Sequence, residues 1–243
     1  MNIIINGAGG RMGRALQAMA QQKQIPVAAA VDPFVQEAGI LPSLESCTQK
    51  ADCILDFSNH AGTQALCQYA IATGTPVVVA TTGHTQQELE LIRETAKTVP
   101  VFWSGNMSVG IALLAKLARQ TAAMFPDADI EIVESHHNQK LDVPSGTALM
   151  LARAVQEARP EAEFVVGRHE NGKRQKKEVG IHSLRMGNTV GIHEVIVNTG
   201  TQIITLKHEA QDRALFAEGA LAAAAFLTAQ TPGMYTMDDM MRE

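Results

Sequence analysis

Short apolar runs alternate with helix-like segments over the first hundred residues. The apolar runs have the length and composition of buried strands and cover residues 2–6, 27–31, 53–57, 76–80 and 101–103. Between them, helical patterns cover residues 14–22, 63–72 and 87–97, the last opened by the capping-box spacing of Thr85 and Glu88. This alternation is typical of βαβ units and predicts a parallel sheet that binds ligands at the carboxyl ends of its strands.

The pattern changes after residue 106. It predicts an amphipathic helix over residues 109–125, a half-buried strand over 129–134 and a second helix over 147–158. Further strands are predicted at residues 181–184, 193–197 and 203–206, with turn signals at 187–188 and 199–200 that favour an antiparallel arrangement. A last helix over residues 212–228 is too apolar to stand alone, so we expect it to pack on the body of the protein.

The composition is that of a globular protein and argues against several partners. Of the 243 residues, 46% are hydrophobic and 19% charged, which excludes intrinsic disorder. The net charge of −5 gives no global positive field for nucleic acid or an anionic bilayer, and we interpret the basic cluster at 173–177 as a solvated loop. The three cysteines have no CxxC spacing, and no apolar run reaches the roughly 18 residues needed to cross a bilayer. The chain begins with a strand pattern instead of a signal peptide. These observations predict a cytoplasmic protein.

A glycine-rich turn joins the first predicted strand to the first helix. Its residues are Gly7, Ala8, Gly9, Gly10, Arg11, Met12 and Gly13. At this place free backbone N–H groups and the positive end of the helix dipole would bind the pyrophosphate of a dinucleotide. The strict GxGxxG spacing of dinucleotide-binding turns fails at Met12, whereas Gly7, Gly10 and Gly13 keep a GxxGxxG spacing. The alternative interpretation is a plain turn at the start of a helix, with no ligand.

An acidic residue ends the second predicted strand. Asp32 lies 19 positions beyond Gly13, where a carboxylate would accept both ribose hydroxyls of an adenosine and repel a 2′-phosphate. Pro33 follows it instead of an arginine, so NADH is predicted to be used at least as well as NADPH, although a contact between Arg11 and a phosphate would blur this preference. The alternative for Asp32 is a solvated turn residue. Thr81-Thr82-Gly83 and residues 104–107 follow the fourth and fifth strands and could line the nicotinamide ribose and ring.

Two histidines and a lysine stand within five positions, just before a predicted helix. His136, His137 and Lys140 offer proton transfer and positive charge, and Ser145, Gly146 and Thr147 present N–H groups and hydroxyls at a positive helix end. Together they predict a site for a small acid that is protonated during a reaction. The histidine pair with Asp142 nearby could bind a metal, but metal motifs generally need a third ligand at defined spacing and the cysteines lie elsewhere, so no metal is predicted. A surface lysine beside a helix cap is the other alternative.

With these residues considered together, the chain resembles the 4-hydroxy-tetrahydrodipicolinate reductase family, also called dihydrodipicolinate reductases, over nearly its full length. The most specific likeness is at residues 134–148, which are similar to the signature E-x-H-H-x-x-K-x-D-x-P-S-G-T-A. The other similar stretches are residues 7–13, 106–110, 185–193 and 213–220. Departures from the family pattern are Pro33 at a frequent arginine, Met186 at a frequent glycine and Ile192 at a frequent acid. We expect packing consequences only from the last two.

The resemblance implies an α/β fold. It has a Rossmann-type parallel-sheet domain for the dinucleotide at residues 1–107 and 212–243. A second α+β domain at residues 108–211 carries a mixed or antiparallel sheet, binds substrate and builds a homotetramer.

The resemblance also implies roles for individual residues. His136 would donate or accept a proton and Lys140 would be a second proton donor or act on the substrate's charge. The carboxylates of a small dicarboxylate substrate would be held by His137, Gly146 and Thr147. The cofactor, NADH or NADPH, would be held by residues 7–12, Asp32, Ala80, Thr81, Thr82, Ser104, Gly105, Asn106 and Met107.

The implied activity is reduction of 4-hydroxy-tetrahydrodipicolinate, through dihydrodipicolinate, in lysine and diaminopimelate biosynthesis. One alternative is a related dehydrogenase acting on an amino or imino acid such as aspartate. Another is a regulator that senses NAD(H) without turnover.

Overall fold

The computed structural model describes residues 1–242, which divide into two compact units, Met1–Ser108 with the chain from Arg213 onward, and Val109–Asp212. The strands are β1 (Ile3–Asn6), β2 (Val27–Val31), β3 (Ile40–Leu41), β4 (Cys53–Asp56), β5 (Val77–Val79), β6 (Pro100–Trp103), β7 (Asp129–His136), β8 (Glu163–Val166), β9 (Glu178–Arg185), β10 (Gly191–Asn198), β11 (Ile203–Ala210) and β12 (Gly233–Tyr235). The α-helices are α1 (Arg11–Gln22), α2 (Thr63–Thr73), α3 (Gln86–Thr95), α4 (Val109–Met124), α5 (Gly146–Ala158), α6 (Ala214–Leu227) and α7 (Met237–Met240).

The first unit is a parallel sheet with strand order β3-β2-β1-β4-β5-β6-β12. The chain runs outward from β1 to β3 and then returns to β4 on the other side of β1. The strand order therefore reverses between β1 and β4, and such a reversal leaves a ligand-binding crevice at the carboxyl ends of the strands. The predicted parallel α/β sheet is confirmed, and the capping box of Thr85 and Glu88 is present at the start of α3.

The central strands of this sheet are buried on both faces. Every residue of β1, β4 and β5 is buried, as expected for a parallel sheet with helices on either side. The short strands β3 and β12 at its two edges are absent from the sequence prediction because two or three residues carry no readable period.

The predicted C-terminal helix is α6, which returns to the first unit and packs against α1 and the central strands. Its apolar character follows from this burial, because seven of its 14 residues are buried. Gly219 lies against the backbone before α4: a Cβ built on it would be 1.7 Å from the Met107 carbonyl oxygen. The helix can pack at this distance only with glycine at that position.

The second unit has a mixed sheet with strand order β11-β10-β7-β9-β8. β10 is antiparallel to both β11 and β7, as the turn signals predicted, but β7, β9 and β8 run parallel. The prediction of a mixed or antiparallel sheet is therefore confirmed in its mixed form, and the antiparallel pattern favoured by the turn signals holds only for β10 and its two neighbours. The turn at 187–188 joins β9 to β10, and these strands are separated in the sheet by β7, so the turn signal did not reveal the pairing.

Replacing Gly219 by alanine tests the close approach of α6. Alanine normally stabilises a helix by about 1 kcal/mol over glycine. Here the steric conflict with the Met107 carbonyl is expected to outweigh that gain and to lower the free energy of unfolding by about 1–3 kcal/mol, measured by chemical denaturation. The control is Ala222→Gly at an exposed position of the same helix, which should lose about 1 kcal/mol from helix propensity alone. A Gly219→Ala variant more stable than the original would contradict the contact.

Candidate functional site

The glycine turn after β1 is shaped by close backbone contacts. Gly7 has φ +84°, and a Cβ on it would lie 2.4 Å from the Phe57 carbonyl oxygen. A Cβ on Gly13 would lie 2.1 Å from the carbonyl oxygen of Gly7, so α1 packs directly on the turn. Within the described residues, no side chain caps the start of α1, where Gly10 is the N-cap. The first N–H groups of this helix are therefore available to an anion.

Asp32 is buried beside this turn, with an exposed fraction of 7%. Its Oδ2 accepts a hydrogen bond from the Gly9 amide at 3.0 Å, and its Oδ1 accepts one from the Phe34 amide at 3.0 Å. Asp32 is therefore not the solvated turn residue of the alternative interpretation. Each carboxylate oxygen has a lone pair left for a ligand hydroxyl.

A cavity of about 550 Å³ opens at this edge of the sheet. It brings together Gly7, Gly10 and Asp32, and Pro33 and Phe34 form part of its apolar wall. Its volume is within the range of small-molecule and cofactor sites. Glycine is required at position 9, where a Cβ would lie 2.4 Å from Cγ2 of Val35.

The other predicted cofactor residues follow β5 and β6. Their two loops are neighbours, since a Cβ on Gly105 would lie 3.8 Å from Cγ2 of Thr82. Ser104 donates a hydrogen bond to the Asn106 carbonyl at 2.6 Å. Met107 is 2% exposed, so its side chain belongs to the core.

In the second unit, the site grows out of the hydrophobic core. The side of β7 that packs against α5 presents Ile130, Ile132, Glu134 and His136 in turn, because alternate residues of a strand face the same side. The first two belong to the core, whereas Glu134 is a fully buried carboxylate. The change from apolar to charged residues occurs at the carboxyl end of the strand, and there the predicted catalytic segment begins.

Glu134 is held by four hydrogen bonds. Its Oε2 accepts from Arg185 at 2.9 Å and lies 2.5 Å from Nδ1 of His136. Its Oε1 accepts from Arg185 at 2.8 Å and from the Ser145 amide at 3.1 Å. Burial acts to raise the pKa of Glu134, but the bonds from His136 and Arg185 outweigh it and hold that pKa well below its usual range. Glu134 is therefore ionised.

His136 is oriented by this carboxylate. With Nδ1 committed to Glu134, Nε2 is the ring nitrogen left to face a ligand. Nε2 lies beside Gly191, where a Cβ would be 3.2 Å away, so glycine leaves room at this nitrogen.

His193 packs edge-on against His136, with ring centroids 5.1 Å apart. It is 4% exposed, and its Nε2 lies 3.3 Å from Oγ of Ser145. Burial, followed by the charge of His136, lowers the pKa of His193 to about 3. His193 is therefore neutral at physiological pH.

The remaining predicted residues lie on the loop from β7 to α5 and at the start of α5. Nζ of Lys140 is 2.8 Å from Oδ1 of Asp142. Ser145 is the N-cap of α5, and its Oγ accepts from the Ala148 amide at 3.1 Å. Gly146 is exposed, and Thr147 and His137 are half-buried. The start of α5 thus presents its N–H groups at the surface, beside the Ser145 that contacts both Glu134 and His193.

Three members of this cluster were given no role by the sequence analysis. Arg185, Gly191 and His193 come from β9 and β10, about 50 positions after β7. The family-like stretch at 185–193 was the available signal, but spacing alone could not show that it lies beside His136. Glu134 stood inside the signature, and its burial in a sheet was not evident.

Neither a membrane span nor a metal site is found within residues 1–242. No helix there is long and apolar enough to cross a bilayer. No group of three or more histidine, cysteine, aspartate or glutamate side chains is arranged to hold a metal ion in the same part of the chain. The three cysteines are free thiols.

Comparisons with known proteins agree over the full length. Family models described as "Dihydrodipicolinate reductase, N-terminus" and "Dihydrodipicolinate reductase, C-terminus" match residues 1–107 and 110–241. The 4-hydroxy-tetrahydrodipicolinate reductase of Caldanaerobacter subterraneus subsp. tengcongensis is 41% identical, covering 100% of this chain and 99% of the relative. That of Clostridium novyi is 40% identical, covering 99% and 98%. The solved dipicolinate-bound dihydrodipicolinate reductase from Paenisporosarcina sp. TG-14 has the same fold, with a TM-score of 0.84, 24% identity and coverage of 100% and 99%.

The depressed pKa of His193 predicts a specific loss of stability in acid. Below about pH 6.5, the histidine of the unfolded chain takes up a proton that the folded protein excludes until about pH 3. The unfolded state therefore binds more protons in this window, and the free energy of unfolding falls as pH is lowered. The His193 contribution is at most about 1.4 kcal/mol per pH unit.

Denaturation of the wild type and of His193→Asn at pH 7 and pH 5 measures this contribution. The variant should lose less stability between the two pH values, because asparagine does not titrate. Replacing the exposed His169 by asparagine is the control for a histidine-to-asparagine change outside this cluster. Equal losses in the wild type and in His193→Asn would show that His193 is not held neutral.

Proposed function

The chain belongs to the dihydrodipicolinate reductase family, and we propose how its residues carry out the family's reaction. It is an NAD(P)H-dependent oxidoreductase that reduces 4-hydroxy-tetrahydrodipicolinate to tetrahydrodipicolinate in lysine and diaminopimelate biosynthesis. The full-length relatives share this activity in their names, which sets aside the aspartate-type dehydrogenase and the non-catalytic regulator. The buried Glu134–His136 pair is the observation that carries the assignment of the active site.

The first unit supplies the cofactor site. The Gly7, Gly9 and Gly13 positions form a cradle that a Cβ would fill, and the N–H groups at the start of α1 suit a pyrophosphate. Asp32 would accept the adenosine ribose hydroxyls. The residues after β5 and β6, 80–82 and 104–107, would contact the nicotinamide half. When bound, the dinucleotide supplies the hydride.

The second unit would bind the substrate's two carboxylates through complementary charge. The N–H groups of Gly146 and Thr147 stand at the positive end of α5, which stabilises an anion. Lys140 adds a full positive charge, and His137 adds a further donor. These are the residues that the sequence resemblance implies for the dicarboxylate.

His136 would supply the proton of the reaction. Transfer of a hydride to C4 of the unsaturated ring, after the 4-hydroxyl has left as water, produces an enamine that one proton converts to the product imine. Glu134 fixes Nδ1 of His136, so this proton leaves from Nε2. Lys140 is a second proton donor or stabilises the charge of the substrate.

We also propose that the protein acts as a homotetramer in the cytoplasm. Support for the assembly comes from the second sheet, whose face opposite α4 and α5 leaves Leu184 48% and Ile203 64% exposed. The helices of the second unit do not cover this face, so a second copy of the chain can pack on it. The free cysteines suit a reducing compartment.

Removing the proposed proton donor tests the active site. His136→Ala should lower kcat by about 10²–10⁴ with a modest change in KM, since a general acid acts mainly in the transition state. Lys140→Ala should also lower kcat. The assay follows NADH and NADPH oxidation at 340 nm, with substrate produced from pyruvate and aspartate semialdehyde by a coupled synthase. His169→Ala is the matched histidine control, and normal turnover in both His136 and Lys140 variants would rule out this site.

Asp32 predicts the cofactor preference. Its carboxylate repels a 2′-phosphate, so the ratio of kcat/KM for NADH to that for NADPH should be near or above one in the wild type. Asp32→Ser should lower this ratio because it removes the charge. A wild type with strong preference for NADPH would contradict the role assigned to Asp32.

A further inference from the structure

A second buried carboxylate lies at the carboxyl end of the first sheet. Asp56 is the last residue of β4 and is 2% exposed. Its Oδ1 accepts from the Asn6 amide at 2.7 Å and from the Ser58 hydroxyl at 2.6 Å, and its Oδ2 accepts from the Thr81 hydroxyl at 2.6 Å. Asp56 thus joins the ends of β1 and β4 and the residue after β5 within one unit.

The partners of Asp56 are all donors, and this leaves its two hydroxyl partners only acceptor capacity. A hydroxyl has one proton to donate, so Ser58 and Thr81 can only accept further hydrogen bonds. Nδ2 of Asn6 donates to Oδ1 of Asp56 and lies 3.2 Å from Oγ of Ser58, which is on the same side of the amide. Asn6 and Ser58 line the same cavity as Gly7, Gly10 and Asp32.

We infer that Asp56 is a positioning residue of the cofactor site, which commits the Ser58 hydroxyl to accept a hydrogen bond from a hydroxyl or amide N–H donor of a bound nicotinamide dinucleotide. This inference rests on the proposed function, because it takes the cavity as the dinucleotide site. The same acceptor repels phosphate oxygens, which leaves the pyrophosphate to the N–H groups at the start of α1. Asp56 therefore helps to direct the hydrogen-bond donors of the dinucleotide to Ser58 and its pyrophosphate to the start of α1.

The role requires a carboxylate and not merely a polar group of that size. Ionised aspartate only accepts hydrogen bonds, whereas an asparagine amide must also donate. In Asp56→Asn, at least one neighbouring hydroxyl or amide would have to turn its donor away from position 56. Burial raises the pKa of Asp56, and the hydrogen bonds from Ser58, Thr81 and Asn6 act in the opposite direction.

Binding without substrate tests the inference, using NADH fluorescence to measure Kd. The wild type should bind NADH, and Asp56→Asn should raise Kd about tenfold, the change expected from about 1.4 kcal/mol of lost hydrogen bonding. The KM for NADH should rise while the KM for the substrate stays unchanged. Thr95→Val is the control for loss of a buried hydroxyl, since Thr95 is 1% exposed and donates to the Leu91 carbonyl within α3. It should lose stability without a change in Kd.

A double-mutant cycle separates positioning from a structural role. Ser58→Ala should raise Kd severalfold in the wild type and have little further effect in Asp56→Asn, because the hydroxyl orientation is already lost. A folded Asp56→Asn with wild-type Kd, or strictly additive effects, would overturn the inference. If Asp56→Asn does not fold, an unchanged Kd in Ser58→Ala overturns it instead. A wild type that binds neither NADH nor NADPH would instead refute the proposed function.

Discussion

Burial of the Glu134 carboxylate is the constraint on which the second unit's site depends. An ionised carboxylate removed from water is strongly unfavourable unless cations and N–H groups surround it. Glu134 obtains them from three elements: His136 on its own strand, Arg185 on β9 and the Ser145 amide at the start of α5. Satisfying one charge therefore fixes the positions of His136, the neighbouring strand and the start of α5. The geometry of the proposed active site follows from a requirement of folding.

The two units handle a buried carboxylate in different ways, and the difference matches their chemistry. Glu134 is surrounded by ionisable partners, so it balances charge and orients the histidine that we propose as the proton donor. Asp56 accepts only from hydroxyls and an amide, so its hydrogen bonds fix the orientation of neutral groups. Both stand where a buried strand ends, the place at which parallel strands present their ligand sites.

Local features of the fold could be predicted from the sequence, and features that depend on pairing could not. The glycine turn, the Thr85 capping box and the helices rest on neighbouring residues, so their patterns were readable. The parallel pairing of β7 with β9 depends on residues about 50 positions apart, and the turn after β9 favoured β10 as its partner. For the same reason, the signature revealed His136 and Lys140, whereas Arg185 and His193 gained roles only from the sheet. The hydrogen bonds of Asp56 could not be predicted either, because it ends an apolar strand and its partners lie on other parts of the chain.

The two cations of the active site differ in how readily they can bind substrate. Arg185 forms two hydrogen bonds with a carboxylate that is 0% exposed, and leaving Glu134 unpaired would be strongly unfavourable. Lys140 is paired with Asp142, whose side chain is 57% exposed and returns easily to water. Such a surface ion pair contributes about 0–1 kcal/mol, so an anionic ligand can displace Asp142 with little loss. Arg185 is thus committed to the folded state, whereas Lys140 can exchange its partner, as the role that we propose for it requires.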